Sequence, residues 1–431
     1  MTAPATIAHV TCLGCGCTCD DIAVVVRDDR IVEARNTCAL GSQWFGDGRV
    51  PARSRIDSRD AGLDETLAEA ARLLSNASGP LVYLAPGISC ETQREGTAIA
   101  DLLRARLDSA TSATAAEFVL STQERGFASA TLGEIRNRAD VVMFWAVDLD
   151  ERYPRFASRY APEPIGTHIP AGRESRTVVA VDVGNATSIA RADRRIAIDP
   201  ADEIAVLVAL QAIARSHDVG PTAPLPFTGK AWDTARDLAS TLLSARYLGV
   251  IYDAEPDERA ARSAQRFDAL ASFTQALNDA TRCAGVALRA GGNRSGADSV
   301  LTSQTGYPMA VDFARGYPRY APHDRSAVAT LRSGEADLLL VLGDAALLPH
   351  EVATAIATSS RRTIVIGPRA SEAPLGSTAV AIDTGVDGIH ASGTALRTDD
   401  VPLPLRSVVA GPASAAATVR ALGSLLRRTP R

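Results

Sequence analysis

Ala139-Asp140-Val141-Val142-Met143-Phe144-Trp145 and Ala336-Asp337-Leu338-Leu339-Leu340-Val341-Leu342 are the stretches that decide the fold. Each sets an Ala-Asp pair in front of five consecutive apolar residues. A run that short with no polar member reads as a strand covered on both faces, as in a parallel sheet sandwiched by helices. The first stretch is followed by Arg176-Thr177-Val178-Val179 and Ile196-Ala197-Ile198-Asp199. The second is followed by Arg362-Thr363-Ile364-Val365 and Ala381-Ile382-Asp383. Three landmarks recurring in the same order point to an internal duplication.

Working outward, further strands are expected at Leu81–Ala85, Tyr247–Tyr252 and Gly285–Leu288, with the repeat's own strands at 141–147, 177–183, 338–342, 363–366 and 380–382. Helix-spaced apolar residues mark Leu63–Leu74, Ile204–Ala214, Ala260–Asn278 and Glu351–Ser359. Strand and helix in alternation imply an α/β protein with parallel sheets. The first fifty residues differ. There Ile22-Ala23-Val24-Val25-Val26 and Ile31-Val32 flank the polar tip Arg27-Asp28-Asp29-Arg30, which reads as a hairpin beneath a cysteine cluster. The expected organisation is a small Cys-rich β unit at 1–52 and two Rossmann-like halves at 53–220 and 221–431. His217–Thr234, with Pro221, Pro224 and Pro226, reads as the connector.

Composition narrows the function classes. The chain has 431 residues, 46% of them apolar and 22% charged, with a formal net charge of −5. That balance argues against a nucleic-acid-binding surface as the main activity. Lys230 is the single lysine among 45 basic residues, and Ala231 follows it. A P-loop needs Ser or Thr there, so P-loop ATPases and lysine-based aldolases are excluded. No signal-peptide pattern opens the chain and no apolar run spans a bilayer, so a cytoplasmic protein without a membrane partner is expected.

Five of the seven cysteines lie between Cys12 and Cys38. Cys12, Cys15, Cys19 and Cys38 give C-x2-C-x3-C-x18-C, with Gly14 and Gly16 between the first members. In a reducing compartment such clustering points to metal before disulfides. A [4Fe–4S] cube, structural zinc and an empty loop are all compatible with the spacing, and Cys17 looks incidental.

The motif and its surroundings resemble a known family. Cys12 to Cys19 followed by Asp20-Asp21-Ile22, and later Cys38-Ala39-Leu40-Gly41, are similar to the start of the B subunit of formylmethanofuran dehydrogenase, a member of the molybdopterin oxidoreductase superfamily. Leu132-Gly133-Glu134-Ile135-Arg136-Asn137-Arg138-Ala139-Asp140-Val141, Pro154-Arg155 with Ser158-Arg159-Tyr160, Arg315-Gly316-Tyr317-Pro318-Arg319-Tyr320 and Gly388-Ile389-His390-Ala391-Ser392-Gly393-Thr394 extend the resemblance along nearly the whole chain. It implies a molybdopterin-oxidoreductase-like fold without the C-terminal barrel.

Catalytic members hold tungsten or molybdenum through a cysteine or selenocysteine followed by a histidine. Here the corresponding region is Ser109-Ala110-Thr111-Ser112-Ala113-Thr114-Ala115-Ala116-Glu117, and no Cys or His occurs between Cys90 and His168. Arg289 is kept, while the family's following histidine is replaced within Ala290-Gly291-Gly292-Asn293. The expectation is a chain with no catalytic residues and no tungsten or molybdopterin. Its only metal candidates are Cys12, Cys15, Cys19 and Cys38, for a [4Fe–4S] cluster or zinc.

Such a chain would be a structural (scaffold) member, with A, C and D partners, of the methylotroph formyltransferase/hydrolase complex. That complex moves a formyl group from a tetrahydromethanopterin-type carrier to methylofuran and releases formate. The alternative is a redox-active B subunit with its tungsten or molybdenum centre. Arg289 reads as an ion-pair partner before an anion ligand. The run 290–296 resembles a phosphate-cradling loop or a turn. Asp148, Asp150 and Glu151 read as solvated, and His168, His323, His350 and His390 show no metal-ligand spacing.

Overall fold

The computed structural model describes residues 3–215, 229–256, 263–372 and 375–428. Strands β1 (Ala5–Val10), β2 (Ile22–Arg27) and β3 (Arg30–Arg35) form a small antiparallel sheet. Next come β4 (Ser54–Ile56), β5 (Arg59–Asp60), β6 (Pro80–Leu84), β7 (Arg106–Ser109) and β8 (Val141–Trp145). They are followed by β9 (Thr177–Val183), β10 (Arg194–Ile198), β11 (Tyr247–Asp253) and β12 (Arg282–Leu288). Two short strands, β13 (Val311–Asp312) and β14 (Arg319–Tyr320), precede β15 (Leu338–Leu342), β16 (Arg362–Gly367) and β17 (Ser377–Asp383). A hairpin of β18 (Gly393–Leu396) and β19 (Pro402–Leu405) closes the series.

Two larger sheets hold the parallel strands, in the orders β14-β13-β7-β6-β15-β16-β17-β4-β5 and β10-β9-β8-β11-β12. All five residues of β6, β8 and β15 are buried, as strands covered on both faces require.

The repeat is visible in three dimensions, with an exchange. In sequence, the first half supplies β6 and β7 and then β8, β9 and β10. The second half supplies β11 and β12 and then β15, β16 and β17. In space β6 and β7 join β15–β17, while β11 and β12 join β8–β10. The two repeated aspartates mark the seams. Asp140 accepts the backbone N–H groups of Arg246 (3.1 Å) and Tyr247 (2.9 Å) at the entry to β11. Asp337 accepts those of Ser78 (2.6 Å) and Gly79 (3.1 Å) just before β6. Both carboxylates therefore satisfy amides that open the neighbouring parallel strand.

The chain consequently divides into compact units at other points than the sequence suggests. One unit comprises residues 1–114 and 291–431, and the other comprises 115–290. The expected boundary at 52/53 falls inside the first unit, which includes the Cys-rich sheet. The expected boundary at 220/221 lies outside the described residues, as does most of the connector, whose last residues open the helix Gly229–Leu243. Tandem halves would each have folded on themselves. Instead, the parallel partner of β6 comes from far along the chain.

Helices Leu63–Asn76, Glu203–Ala214, Ala264–Leu277 and His350–Ser359 form where the periodicity places them. Leu67, Ala70, Ala71 and Leu74 make the buried face of the first, and Asp64 and Glu65 stand in its opening turn, favourable against the helix dipole. Helices Cys90–Leu103 and Arg294–Thr305 escape the periodic pattern, because Gly, Ser and Thr dilute their apolar residues. Gly96 is needed in the former. A Cβ there would stand 2.7 Å from Leu342 Cδ1 and 2.8 Å from Leu84 Cδ2, so the bare backbone lets the helix settle on the sheet.

In the second unit the core is crossed by a buried ion pair. Arg266 Nε lies 2.8 Å from Glu203 Oε1, and Trp145 Nε1 donates to the same oxygen at 2.7 Å. Replacing Glu203 by Leu strands a buried guanidinium and should cost about 3–5 kcal/mol. Replacing Arg266 by Leu as well should recover most of that loss in urea unfolding. A Glu203→Leu protein as stable as wild type would show that this pair does not organise the core.

Candidate functional site

Among the described residues, the sequence-predicted site residues fall in several places. The first is the cysteine loop joining β1 to β2. Cys12, Cys15, Cys17 and Cys19 are buried and Cys38 is half-buried. The loop closes on itself through Cys12 N–H to Cys19 O (2.8 Å) and Thr18 N–H to Cys15 O (3.2 Å). Gly14 N–H donates to Cys12 Sγ at 3.3 Å. Burial pushes the Cys12 thiol far up, while the Gly14 amide pulls it down. Cys15, Cys19 and Cys38 push it up in turn, so all four thiols lie within electrostatic reach.

The donor set suits a soft metal, and glycine at 14 and 41 leaves Cys12 Sγ uncrowded, since a Cβ would sit 3.4 and 3.2 Å from it. As the side chains stand, no group of three or more His, Cys, Asp or Glu among the described residues is arranged to hold a metal ion. Protein contacts hold the loop. Leu13 packs with Ala395, Leu405 and Trp44, Gly292 N–H donates to Leu13 O (2.9 Å), and Thr398 N–H donates to Gly16 O (3.3 Å).

The second place is the stretch where the resemblance puts a metal ligand. Ser109 ends β7, and residues 111–114 form one helical turn. Ser112 Oγ donates to Asp108 Oδ2, and Thr111 Oγ1 donates to Asp298. Asp108 is fully buried and also accepts the N–H groups of Ala310 (3.0 Å) and Ala327 (2.6 Å). Burial raises its pKa to about 6 against the pull of these donors. Leu84–Pro86, Gln93, Ser109–Thr111, Gly292–Arg294 and Ala297 line a cavity of about 10 Å³, room for about one water. With Ser112 committed to Asp108 and no thiol or imidazole beside it, these residues do not fit a tungsten or molybdenum centre.

The third place is the glycine loop. Gly291 and Gly292 are packing glycines. A Cβ on Gly291 would stand 2.4 Å from Leu13 O, and one on Gly292 2.6 Å from Pro86 Cβ. The Gly292 amide is spent on Leu13 O, and Asn293 accepts Leu396 N–H (2.8 Å) while donating to Ile88 O (2.8 Å). The loop therefore ties three segments together and presents no open anion cradle.

Arg289 follows β12 in the second unit. It is buried and its Nε pairs with buried Glu255, as the ion-pair reading expected. Of the acidic trio, Asp148 caps a short helix by accepting Glu151 N–H (2.9 Å), while Asp150 and Glu151 are exposed. His168, His323 and His350 are exposed. His390 is a structural pin. Its Nδ1 accepts Val386 N–H (3.0 Å), so Nε2 carries the proton it gives to Gly48 O (2.7 Å). Sequence reasoning missed Asp108 and Glu255. The signals that could have found them were an acid interrupting the strand Arg106-Leu107-Asp108-Ser109 and two acids closing Tyr252-Asp253-Ala254-Glu255.

No family model matches the chain. It is 29% identical over 420 residues to the B subunit of the tungsten-containing formylmethanofuran dehydrogenase 2 of Methanocaldococcus jannaschii, covering 94% of each chain. The protein of the same name from Methanococcus maripaludis is 29% identical over 415 residues, again with 94% of each covered. Among solved structures, a chain of the formyltransferase/hydrolase complex (FhcABCD) from Methylorubrum extorquens, in complex with methylofuran, superposes with a TM-score of 0.71. Its identity is 22%, over 87% of this chain and 98% of that one, and this likeness speaks for the fold. Fold and site thus define an α/β protein with one parallel and one mixed, mainly parallel sheet and a small Cys-rich antiparallel sheet, and no closed barrel among the described residues. Over nearly its whole length the chain is similar to formylmethanofuran dehydrogenase B subunits.

Asp108 generates a pH prediction. Its folded pKa of about 6 exceeds the ordinary 3.8, so the folded state keeps a proton that the unfolded chain releases. The associated stability is full below about pH 4 and is lost as pH rises through 6, amounting to at most about 3 kcal/mol. Asp253, raised to about 6 by burial, acts in the same direction in the second unit. Urea unfolding at pH 5 and 7.5 should show an Asp108→Asn protein that is less stable but has a shallower pH dependence. An unchanged slope would remove Asp108 from this role.

Proposed function

We propose that this chain is a non-catalytic structural subunit of a formyltransferase/hydrolase complex. The complex transfers a formyl group from a tetrahydromethanopterin-type carrier to methylofuran and releases formate, and this chain assembles with A, C and D subunits. One observation carries the reading: the stretch that should ligate tungsten or molybdenum is Ser109–Thr114, whose Ser112 and Thr111 hydroxyls are consumed by Asp108 and Asp298. Oxidoreduction at a pterin-bound metal needs a soft ligand and a proton-transferring group, and neither stands there. Among the described residues no helix is long and apolar enough to cross a membrane, consistent with such an assembly.

The names of the curated relatives favour a second reading, a redox-active B subunit carrying a tungsten or molybdenum centre and an iron–sulfur cluster. Elemental analysis of the purified complex separates the two. No tungsten, no molybdenum and no reduction of viologen dyes by a formylated substrate are expected. Stoichiometric tungsten or molybdenum, or dye reduction, would establish the redox reading. The structural role has its own check. Omitting this chain should prevent A, C and D from assembling, and an active three-subunit enzyme would end the proposal.

Cys12, Cys15, Cys19 and Cys38 remain the proposed ligands of a [4Fe–4S] cluster or zinc, which would supply folding energy to the loop. Iron or zinc present in the wild-type complex and lost in Cys15→Ser is the expected result, with formyl transfer per assembled complex unchanged. Equal metal content in both would remove the assignment.

A further inference from the structure

The outer strand of a sheet leaves a row of N–H and C=O groups unpaired, and folded proteins protect such edges with charge, proline, shortness or cover. Among the described residues the edges of this chain follow that rule with one exception. β10 carries Arg194 and Arg195, and β3 carries Arg30, Glu33 and Arg35. β5 is only Arg59-Asp60, and β14 only Arg319-Tyr320. β19 places proline at 402 and 404. β18 gives the N–H groups of Thr394 and Leu396 to the side chains of Glu91 and Asn293, each at 2.8 Å. β12 meets residues 128–129, with Gly285 N–H donating to Ala128 O at 2.7 Å.

β1 is the exception. It is an outer strand of its sheet and pairs with β2 alone. Its sequence, Ala5-Thr6-Ile7-Ala8-His9-Val10, has no acid, no Lys or Arg and no proline. Ala5, Thr6, Ala8 and His9 are exposed and Ile7 is half-buried. Successive strand residues point to opposite faces, so exposure at consecutive positions leaves both faces of the strand open, and its outer edge with them. Ala5, Thr6 and Ile7 keep regular register with Val26, Val25 and Val24. The irregularity comes after Ile7, where His9 has a left-handed backbone (φ 56°). Beyond β2, the described contact to the backbone of this strand is Arg406 Nη1 to Ala8 O at 3.4 Å.

A free strand edge is matched by another extended backbone, which supplies donors and acceptors at the same spacing. We propose that β1 is a docking edge for a second copy of this chain, whose own β1 pairs with it antiparallel across a two-fold axis. A two-fold axis turns one strand into an antiparallel pair with itself, and the two small sheets become one continuous sheet. The strand is complementary to itself. With no charge along it, two copies meet without the like-charge repulsion that β3 or β10 would impose. Its small side chains at 5, 6 and 8 let the two edges close. The paired stretch is short, so the association is weak and reversible, in the class of interfaces below about 1,200 Å². It is a contact between copies of this chain, separate from the assembly with other subunits and from the reaction of that assembly.

The test uses the full chain, alone or in its complex, in sedimentation over a wide range of concentration. Wild type should form particles with two copies of this chain that separate on dilution. Thr6→Lys and Thr6→Glu each set like charges at the seam, twice over by symmetry, and each should associate at least tenfold more weakly. An equimolar mixture of the two variants should regain wild-type association, because opposite charges then face each other. Particles with a single copy at every concentration overturn the proposal. So do variants that associate like wild type, or a mixture as weak as its components. Loss of a different subunit from the Thr6→Lys complex, with the copy number of this chain kept, also overturns it and assigns the edge to that subunit. If the Thr6 variants do not fold, Ala5→Lys and Ala5→Glu take their place with the same outcomes.

Discussion

The parallel pairing of β6 with β15 and of β8 with β11 is the constraint on which the rest of the molecule depends. Each pair joins strands distant in sequence, so loop-closure entropy must be met before any hydrogen bond of the pair forms. Asp337 and Asp140 define the registers by taking two amides each at the entry to the partner strand. A shift of one residue would pull those amides off the carboxylate and lose the hydrogen bonds that mark each seam. Both exchanges follow from these seams, which explains why the repeat recurs in sequence while the compact units cut across it.

The same topology creates a switch point in each unit, and the two ends are built by different means. In the first, glycines at 343 and 367 let the backbones at the ends of β6, β15 and β16 approach closely. In the second, Asp253 pairs with half-buried Arg152 and Glu255 with buried Arg289. Close packing tolerates few changes of volume, whereas a charge cluster tolerates few changes of charge. The duplicated architecture therefore carries two different sensitivities at equivalent positions.

Much of the architecture was legible in the sequence, for identifiable reasons. Continuous apolar runs such as 141–145 and 338–342 admit only a strand covered on both faces, and both form where expected. The exchange was not legible, because periodicity reports which face of an element is buried and not which strand lies beside it. The helix Arg294–Thr305 was hidden by its Ser, Gly and Thr content, since its N-terminal Asn293 works through a left-handed backbone and contacts to residues 88 and 396. The loss of Cys and His around Ser112 could be read directly. The capture of that serine by Asp108 could not, because it depends on which strand end lies against which helix turn.

The cysteine loop shows how a motif with metal-site spacing can also be a packing element. In small metal-dependent folds the ion supplies most of the folding energy, because little else crosses the loop. Here Thr11 Oγ1 donates to Pro404 O at 2.7 Å, Leu13 O accepts from Gly292, Gly16 O accepts from Thr398, and Leu13 fills a small core with Ala395 and Leu405. Gly291 approaches the backbone of Leu13 to Cys15 so closely that no side chain fits between them. These contacts fix the loop through residues around the thiols rather than through the thiols themselves. A bound metal would therefore add stability to a loop already held in place, and the conformation at Cys12–Cys19 follows from packing against 291–293 and the β18–β19 hairpin.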